Sequence, residues 1–288
     1  MAIRKILLPL ASTAAGEAAL STALMAAQIW KAHVTALHVR MDSRDVAPLA
    51  GEGLSGAIIE EMIAATEKEG NERAHAVRGM FDHFVSEHNV IVSDSRPGQN
   101  TATASFAIVT GREEDFVAQL ARLADLTVIP RPESGEDVSS SDALHAVLFD
   151  SGRPILIAPR TAFPTLGARI CIAWNGTAES ATAVWGALPW LSRAEAVRIL
   201  CSDGYQRRGP RAPELAAYLA CHDVHAEIAT FRPIDREVGA GLLAAAREFD
   251  ADLLSMGAYS HSRLRQLILG GVTRYVLEHA SMPVMMNR

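Results

Sequence analysis

Lysine is scarce in this chain: it occurs only at Lys5, Lys31 and Lys68, so all positive charge beyond residue 68 is carried by arginine. A phosphate loop of the G-x-x-x-x-G-K-[ST] type is therefore excluded from the second half. Cysteine is sparse too. Cys171, Cys201 and Cys221 are odd in number, lack C-x-x-C spacing, and in two cases lie in apolar runs that read as strands. That excludes a disulfide framework and implies reduced thiols in a cytoplasmic protein. No apolar run is long enough to span a bilayer, so no membrane partner is expected. The net charge is −6 and no long basic run occurs, which argues against a nucleic-acid partner, since phosphate contact is carried by clustered positive charge. The sequence contains no G-x-S-x-G elbow and no H-E-x-x-H motif. His222 and His225 sit at a loop-to-strand transition with no third ligand nearby in sequence, so a metal site is not expected. Nothing in the chain demands an enzyme.

What is present is the balance of a soluble globular protein, 49% hydrophobic and 21% charged over 288 residues, a length that suggests two domains. The start, Arg4-Lys5 followed by an apolar run, has the look of a short signal peptide. The same pattern returns at Arg169-Ile-Cys-Ile-Ala-Trp174, where no signal can stand, so both are read as first strands.

That recurrence belongs to an internal repeat. Lys5-Ile-Leu-Leu-Pro-Leu matches Arg169-Ile-Cys-Ile-Ala-Trp, and Thr13 and Thr177 each open an alanine-rich helical stretch. Ala124-Asp-Leu-Thr-Val-Ile129 matches Ala251-Asp-Leu-Leu-Ser-Met256, and Pro154-Ile-Leu-Ile-Ala matches Pro283-Val-Met-Met. Each copy then reads as five strands alternating with helices, the pattern of a doubly wound parallel sheet. Strands are expected near 4–10, 33–39, 103–109, 125–130 and 154–158, and again near 168–174, 195–201, 224–231, 252–256 and 283–286. The units would be 1–161 and 162–288, joined by the proline-rich Pro159–Gly167. The glycines Gly51, Gly53 and Gly56 read as a loop before a helix. The two last strands, Pro154–Ala158 and Pro283–Met286, are expected to pair antiparallel, covering each other's edges as an intramolecular pseudo-dimer. Association of two chains into a homodimer is left open.

In such sheets ligands bind beyond the carboxyl ends of the strands, where strand order reverses. In the second copy this places Trp174, Asn175, Gly176 and Thr177 after the first strand, Ser202, Asp203 and Gly204 after the second, and Gly257 after the fourth. Further on, Gly270 and Gly271 open a helix through Val272 and Thr273. Free backbone amides at such a helix start favour an anion, though paired glycines also serve close strand–helix packing, and Asn175-Gly176 also suits a simple turn with Thr177 as N-cap. His261, Arg263, Arg265 and Arg274 read as a solvated face.

At these residues the chain resembles the universal stress protein family in its tandem form. The family signature runs glycine, two residues, glycine, nine residues, glycine and a small hydroxyl residue; here Gly257, Ser260, Gly270 and Gly271 occupy the four positions. Ser260 stands in for a glycine, Gly271 for the hydroxyl residue, and Asn175 for the aspartate usual after the first strand. The resemblance implies a Rossmann-like fold, a site for ATP or another adenine nucleotide with Mg2+, and a sensor or adaptor role in stress response. Trp174, Asn175 and Ser202 would lie near the adenine, and Gly270, Gly271 and Val272 would hold the phosphates. In the first copy Ala11 and Pro130 replace Asn175 and Gly257, and Ser139–Asp142 replaces the glycine turn, so that copy reads as degenerate. Two other readings stand beside this one: an interaction or scaffold protein that uses the fold without nucleotide and has a protein partner of unknown identity, and a slow ATPase or self-phosphorylating protein using Ser260, Ser262 or Thr273.

Overall fold

The computed structural model describes residues 2–43, 56–94, 100–131, 142–202, 204, 209–258 and 271–288. The first half runs β1 (Lys5–Pro9), α1 (Ala14–Trp30), β2 (His33–Arg40), α2 (Gly56–Glu87), β3 (Ile91–Val92), β4 (Thr103–Thr110), α3 (Glu113–Ala121), β5 (Leu126–Ile129), α4 (Asp142–Asp150) and β6 (Ile155–Ile157). The second runs β7 (Arg169–Ala173), α5 (Ala178–Leu191), β8 (Ala196–Ser202), α6 (Ala212–Ala220), β9 (Ala226–Phe231), α7 (Val238–Glu248), β10 (Leu253–Gly257), α8 (Gly271–His279) and β11 (Val284–Asn287).

The repeat is visible in the local chemistry that starts each element. Thr13 caps α1 by accepting from the Gly16 N–H, and Thr177 caps α5 by accepting from the Ser180 N–H. Glu17 and Glu179 place a carboxylate in each first turn, where the helix dipole favours it. Ahead of the strands, Asp125 Oδ2 accepts from the backbone N–H groups of Arg4 and Lys5 at 2.8 and 3.0 Å. Asp252 does the same for Arg169 and Ala168 at 2.8 and 3.0 Å, with one carboxylate oxygen for each. The Ala-Asp-Leu anchors thus tie the fourth principal strand of each unit to the start of its first.

One sheet runs through the whole chain in the order β3-β4-β2-β1-β5-β6-β11-β10-β7-β8-β9. Every neighbouring pair is parallel except β6 and β11, which pair antiparallel through Ile155↔Met286, Leu156↔Met285 and Ile157↔Val284. The expected pairing of the two last strands is therefore present. β3 was not anticipated: it has two residues, both exposed, and no length over which alternation could register. Gly56, grouped with the loop glycines on sequence, instead begins the 32-residue α2; Gly51 and Gly53 lie outside the described residues.

Apolar residues cover both faces of the sheet. Leu8, Val34, Leu156, Ile172 and Ile199 pack with α1, α5 and α6 on one side, and Leu7, Leu37, Ile155, Leu254 and Met286 pack with α3, α4, α7 and α8 on the other. Trp30 and Trp190, from the last turns of α1 and α5, meet edge to face with centroids 5.3 Å apart, so the halves also touch above the central strand pair. Cys171 lies fully inside, and burial pushes its thiol up to about 12, keeping it protonated and inert.

One buried histidine couples the first half to pH. His33 hydrogen-bonds Thr103 Oγ1 through Nδ1 and Ser105 Oγ through Nε2, each at 2.9 Å. Burial, and then the Lys5 charge, lower its pKa below the ordinary value of 6.5, with Asp94 opposing them. The unfolded chain thus binds this proton more readily than the folded one. Its contribution to stability is full above about pH 6.5 and is lost as pH falls through that value toward the folded pKa. Urea midpoints measured from pH 8 to 5 are expected to fall more steeply in the wild type than in His33→Gln; equal slopes would assign the acid sensitivity to other groups.

Candidate functional site

Strand order reverses between β7 and β10. From β7 the chain moves through α5 to β8 on one flank, and from β10 it moves through α8 to β11 on the other. The helices α5 and α8 pack on opposite faces of the sheet, the arrangement in which ligands of such sheets lie beyond the carboxyl ends of the two strands. The register Met256↔Ala173 sets Gly257 beside Trp174, and Ala173↔Leu200 brings Ser202 level with Asn175 on the far side of β7. Trp174, Asn175, Gly176, Ser202 and Gly257 are thereby gathered at one end of three adjacent strands.

Asn175 and Thr177 form one hydrogen-bonded unit. Asn175 Oδ1 accepts from the Thr177 N–H at 3.2 Å and from its hydroxyl at 2.9 Å, while Thr177 Oγ1 accepts from the Ser180 N–H at 3.3 Å. The turn reading of Asn175-Gly176 is thus realised, and Gly176 adopts φ +79 within it. The Asn175 amide nitrogen remains the part of that side chain outside this chain of bonds.

Trp174 is only 6% exposed, and its indole N–H donates to the Pro210 carbonyl at 2.9 Å. Gly209 rests on Gly176 so closely that a Cβ at 209 would run into the Gly176 carbonyl. Segment 209–211 therefore covers the end of β7, a feature that the Gly-Pro turn signal could have suggested and that the sequence reading missed. Trp174 supports this cover and is not a free platform for a ring.

Ser202 closes β8 with 7% exposure, and its hydroxyl is buried with no hydrogen-bond partner among the described residues. Such groups are rare in folded proteins. Gly257 is packed from behind: a Cβ there would stand 2.6 Å from Glu179 C and from Ser180 N. It allows β10 to lie against the first turn of α5.

At the start of α8, Gly271 is exposed with nothing within 4 Å of a would-be Cβ, Val272 is half-buried and Thr273 is buried at 6% exposure. The open space at Gly271 leaves room for a ligand there. Ser260 and Gly270, with His261, Ser262, Arg263 and Arg265, lie outside the described residues.

Residues 203–288 match the model of the universal stress protein family. That segment, from the end of β8 to the last strand, is similar to the universal stress protein family. Solved structures extend the likeness in fold to the whole chain. A universal stress protein from Archaeoglobus fulgidus DSM 4304 superposes with a TM-score of 0.67 at 14% identity, covering 99% of this chain and 98% of that one. A functionally unknown protein from Pseudomonas aeruginosa PAO1 gives 0.55 at 14% identity over 99% and 92% of the two chains. A structure from Pseudomonas aeruginosa UCBPP-PA14, given provisionally as a universal stress protein, gives 0.54 at 15% identity over 99% and 93%. No functionally curated protein matches the sequence. Coverage from end to end means that the likeness in fold takes in the first unit as well as the second. No helix among the described residues is long and apolar enough to cross a membrane.

Proposed function

We propose that the universal stress domain spanning 162–288 binds an adenine nucleotide, most simply ATP with Mg2+, in the crevice between β7 and β10. Residues 1–161 form a companion unit without a site of its own, and the chain serves in the cytoplasm as a stress-response sensor or adaptor. The observation that carries this reading is Gly271, the first described residue of α8: it is exposed, with nothing within 4 Å of a would-be Cβ, in the helix that follows the β10 end of a topological switch point. The N–H groups of a helix's first turn have no partners within the helix, and with the dipole they attract phosphate. The Ser202 hydroxyl offers a polar contact from the opposite flank. The Asn175 amide nitrogen can donate to a nucleoside oxygen, in place of the acceptor that an aspartate would provide.

Titration of the full chain with Mg-ATP by calorimetry tests the proposal. Saturable binding in the wild type is expected to weaken about tenfold or more in Gly271→Asp, since each 1.4 kcal/mol of repulsion is a factor of ten. A carboxylate at a helix N-terminus does not weaken the helix, so thermal stability should hold while affinity falls. No heat at millimolar nucleotide would remove the proposal.

A second reading is favoured by the cover over β7. Because segment 209–211 already occupies the space above Gly176 and takes the Trp174 N–H, the unit is also suited to act as an interaction module without nucleotide. Nucleotide retained in protein purified without added ligand, identified by mass spectrometry, decides against it.

A further inference from the structure

The two units differ sharply at the residue after their fourth principal strand. Where β10 leads through Gly257 to the small Ala258, β5 leads through Pro130 to Arg131. Arg131 is 4% exposed, a degree of burial that charged side chains seldom reach without partners. Its Nη1 donates to the carbonyl of Ala280, just past α8 in the other unit. Its Nε and Nη2 are buried without a hydrogen-bond partner among the described residues. The polar contact that this guanidinium makes with the described residues is thus spent on one helix terminus, 149 residues away in the chain.

That terminus is well anchored in other respects. Ala280 is 2% exposed and its N–H closes the last turn onto Val276 O at 2.9 Å, while Val276 and Leu277 are fully buried. A cation at this end meets the negative pole of the helix and the carbonyls that lack helical partners. Burial, with Arg160 as a lesser cause, lowers the Arg131 pKa to about 10, which still leaves it charged at neutral pH.

We propose that Arg131 is a positioning residue through which the first unit holds α8, and with it the glycine-led phosphate end of the second unit's site. The inference rests on the nucleotide reading given above. α8 has nine residues, a length at which an isolated helix is marginal, so its position along its axis is set by packing and by what grips its ends. A helix held at its C-terminus keeps its N-terminal amides aimed; one that slides loses that aim without unfolding. Ala258 has no donor to return the grip, so the tie runs one way, from the unit without a site to the unit with one.

The test uses the full chain as Arg131→Met and Arg131→Lys. Hydrogen exchange of the 275–280 amides, followed without nucleotide, is expected to accelerate about tenfold in Arg131→Met while α3 and α6 keep wild-type rates, because opening free energies are local. Mg-ATP affinity should fall by about tenfold in the same variant, one decade per 1.4 kcal/mol, and Arg131→Lys should recover part of both losses. Wild-type exchange in α8 of Arg131→Met overturns the proposal, as does acceleration spread evenly over the chain. If Arg131→Met does not fold, Arg131→Gln, which removes the charge, decides alone: α8 exchange equal to wild type overturns the tie, and selective acceleration supports it. Faster α8 exchange in a protein whose wild type binds no nucleotide supports the grip on the helix and sinks the nucleotide reading separately.

Discussion

Gly257→Ala is expected to lower stability by about 3 kcal/mol, at the upper end of what overpacking usually costs. The added Cβ would stand 2.6 Å from Glu179 C and Ser180 N and 2.8 Å from Glu179 O. These are backbone atoms of a first turn fixed by the Thr177 cap and by the Ser180 hydroxyl, which donates to Thr177 O at 2.8 Å. No flexible side chain is available to yield. Relief requires α5 to move off β10, and because Asn175, Thr177 and Ser180 are bonded in series, the turn at the end of β7 must move as well. Thermal denaturation should therefore show a drop of roughly 10 °C, at a few degrees per kcal/mol for a chain of this size, with nucleotide affinity falling in parallel. Gly271→Ala is the internal control. With open space at its Cβ, it should leave stability unchanged or raise it by about 0.5–1 kcal/mol. Equal thermal midpoints for Gly257→Ala and the wild type would show that β10 and α5 are not packed as described.

Gly257 also shows where sequence and structure part. Read in the chain, it belonged to a ligand turn, because spacing alone does not distinguish a glycine needed for phosphate from one needed for a neighbouring helix. Its close partner, Glu179-Ser180, is 77 residues distant and comes into contact only through the sheet register Met256↔Ala173. The partner of Trp174 was hidden for the same reason. The tryptophan's position at the end of a first strand was legible, but the Pro210 carbonyl that takes its N–H arrives from a loop 36 residues on. The architecture was more legible because its determinants recur. The threonine caps, the Ala-Asp-Leu anchors and the proline-led last strands each appear twice, so each copy corroborated the other, and the antiparallel β6–β11 pairing followed from edges that needed cover. Arg131 had no such signal. A lone arginine after Pro130 is indistinguishable on sequence from any surface arginine until the fold brings α8 against it.

The repeated aspartates permit a comparison within one molecule. Asp252 is 3% exposed and each of its oxygens accepts one backbone N–H, from Arg169 and from Ala168. In Asp252→Ala both donors lose a charged acceptor at the start of the central strand of the second unit. Hydrogen bonds to charged groups contribute about 1.5–3 kcal/mol each, and donors left buried without partners add their desolvation cost, so a loss of about 3–5 kcal/mol is expected. Asp125 makes the matching pair of bonds through one oxygen, but it is half-buried, and the Arg4 N–H that it receives is at an exposed site. Water can replace the carboxylate there, so Asp125→Ala should cost about half as much or less. Asp252→Asn keeps one acceptor oxygen and should fall between the wild type and Asp252→Ala. Urea denaturation of the three variants is expected to rank Asp125→Ala, Asp252→Asn and Asp252→Ala in order of rising loss. Equal losses at the two aspartates would mean that the number of bonds, rather than burial of the acceptor, sets the strength of this tie.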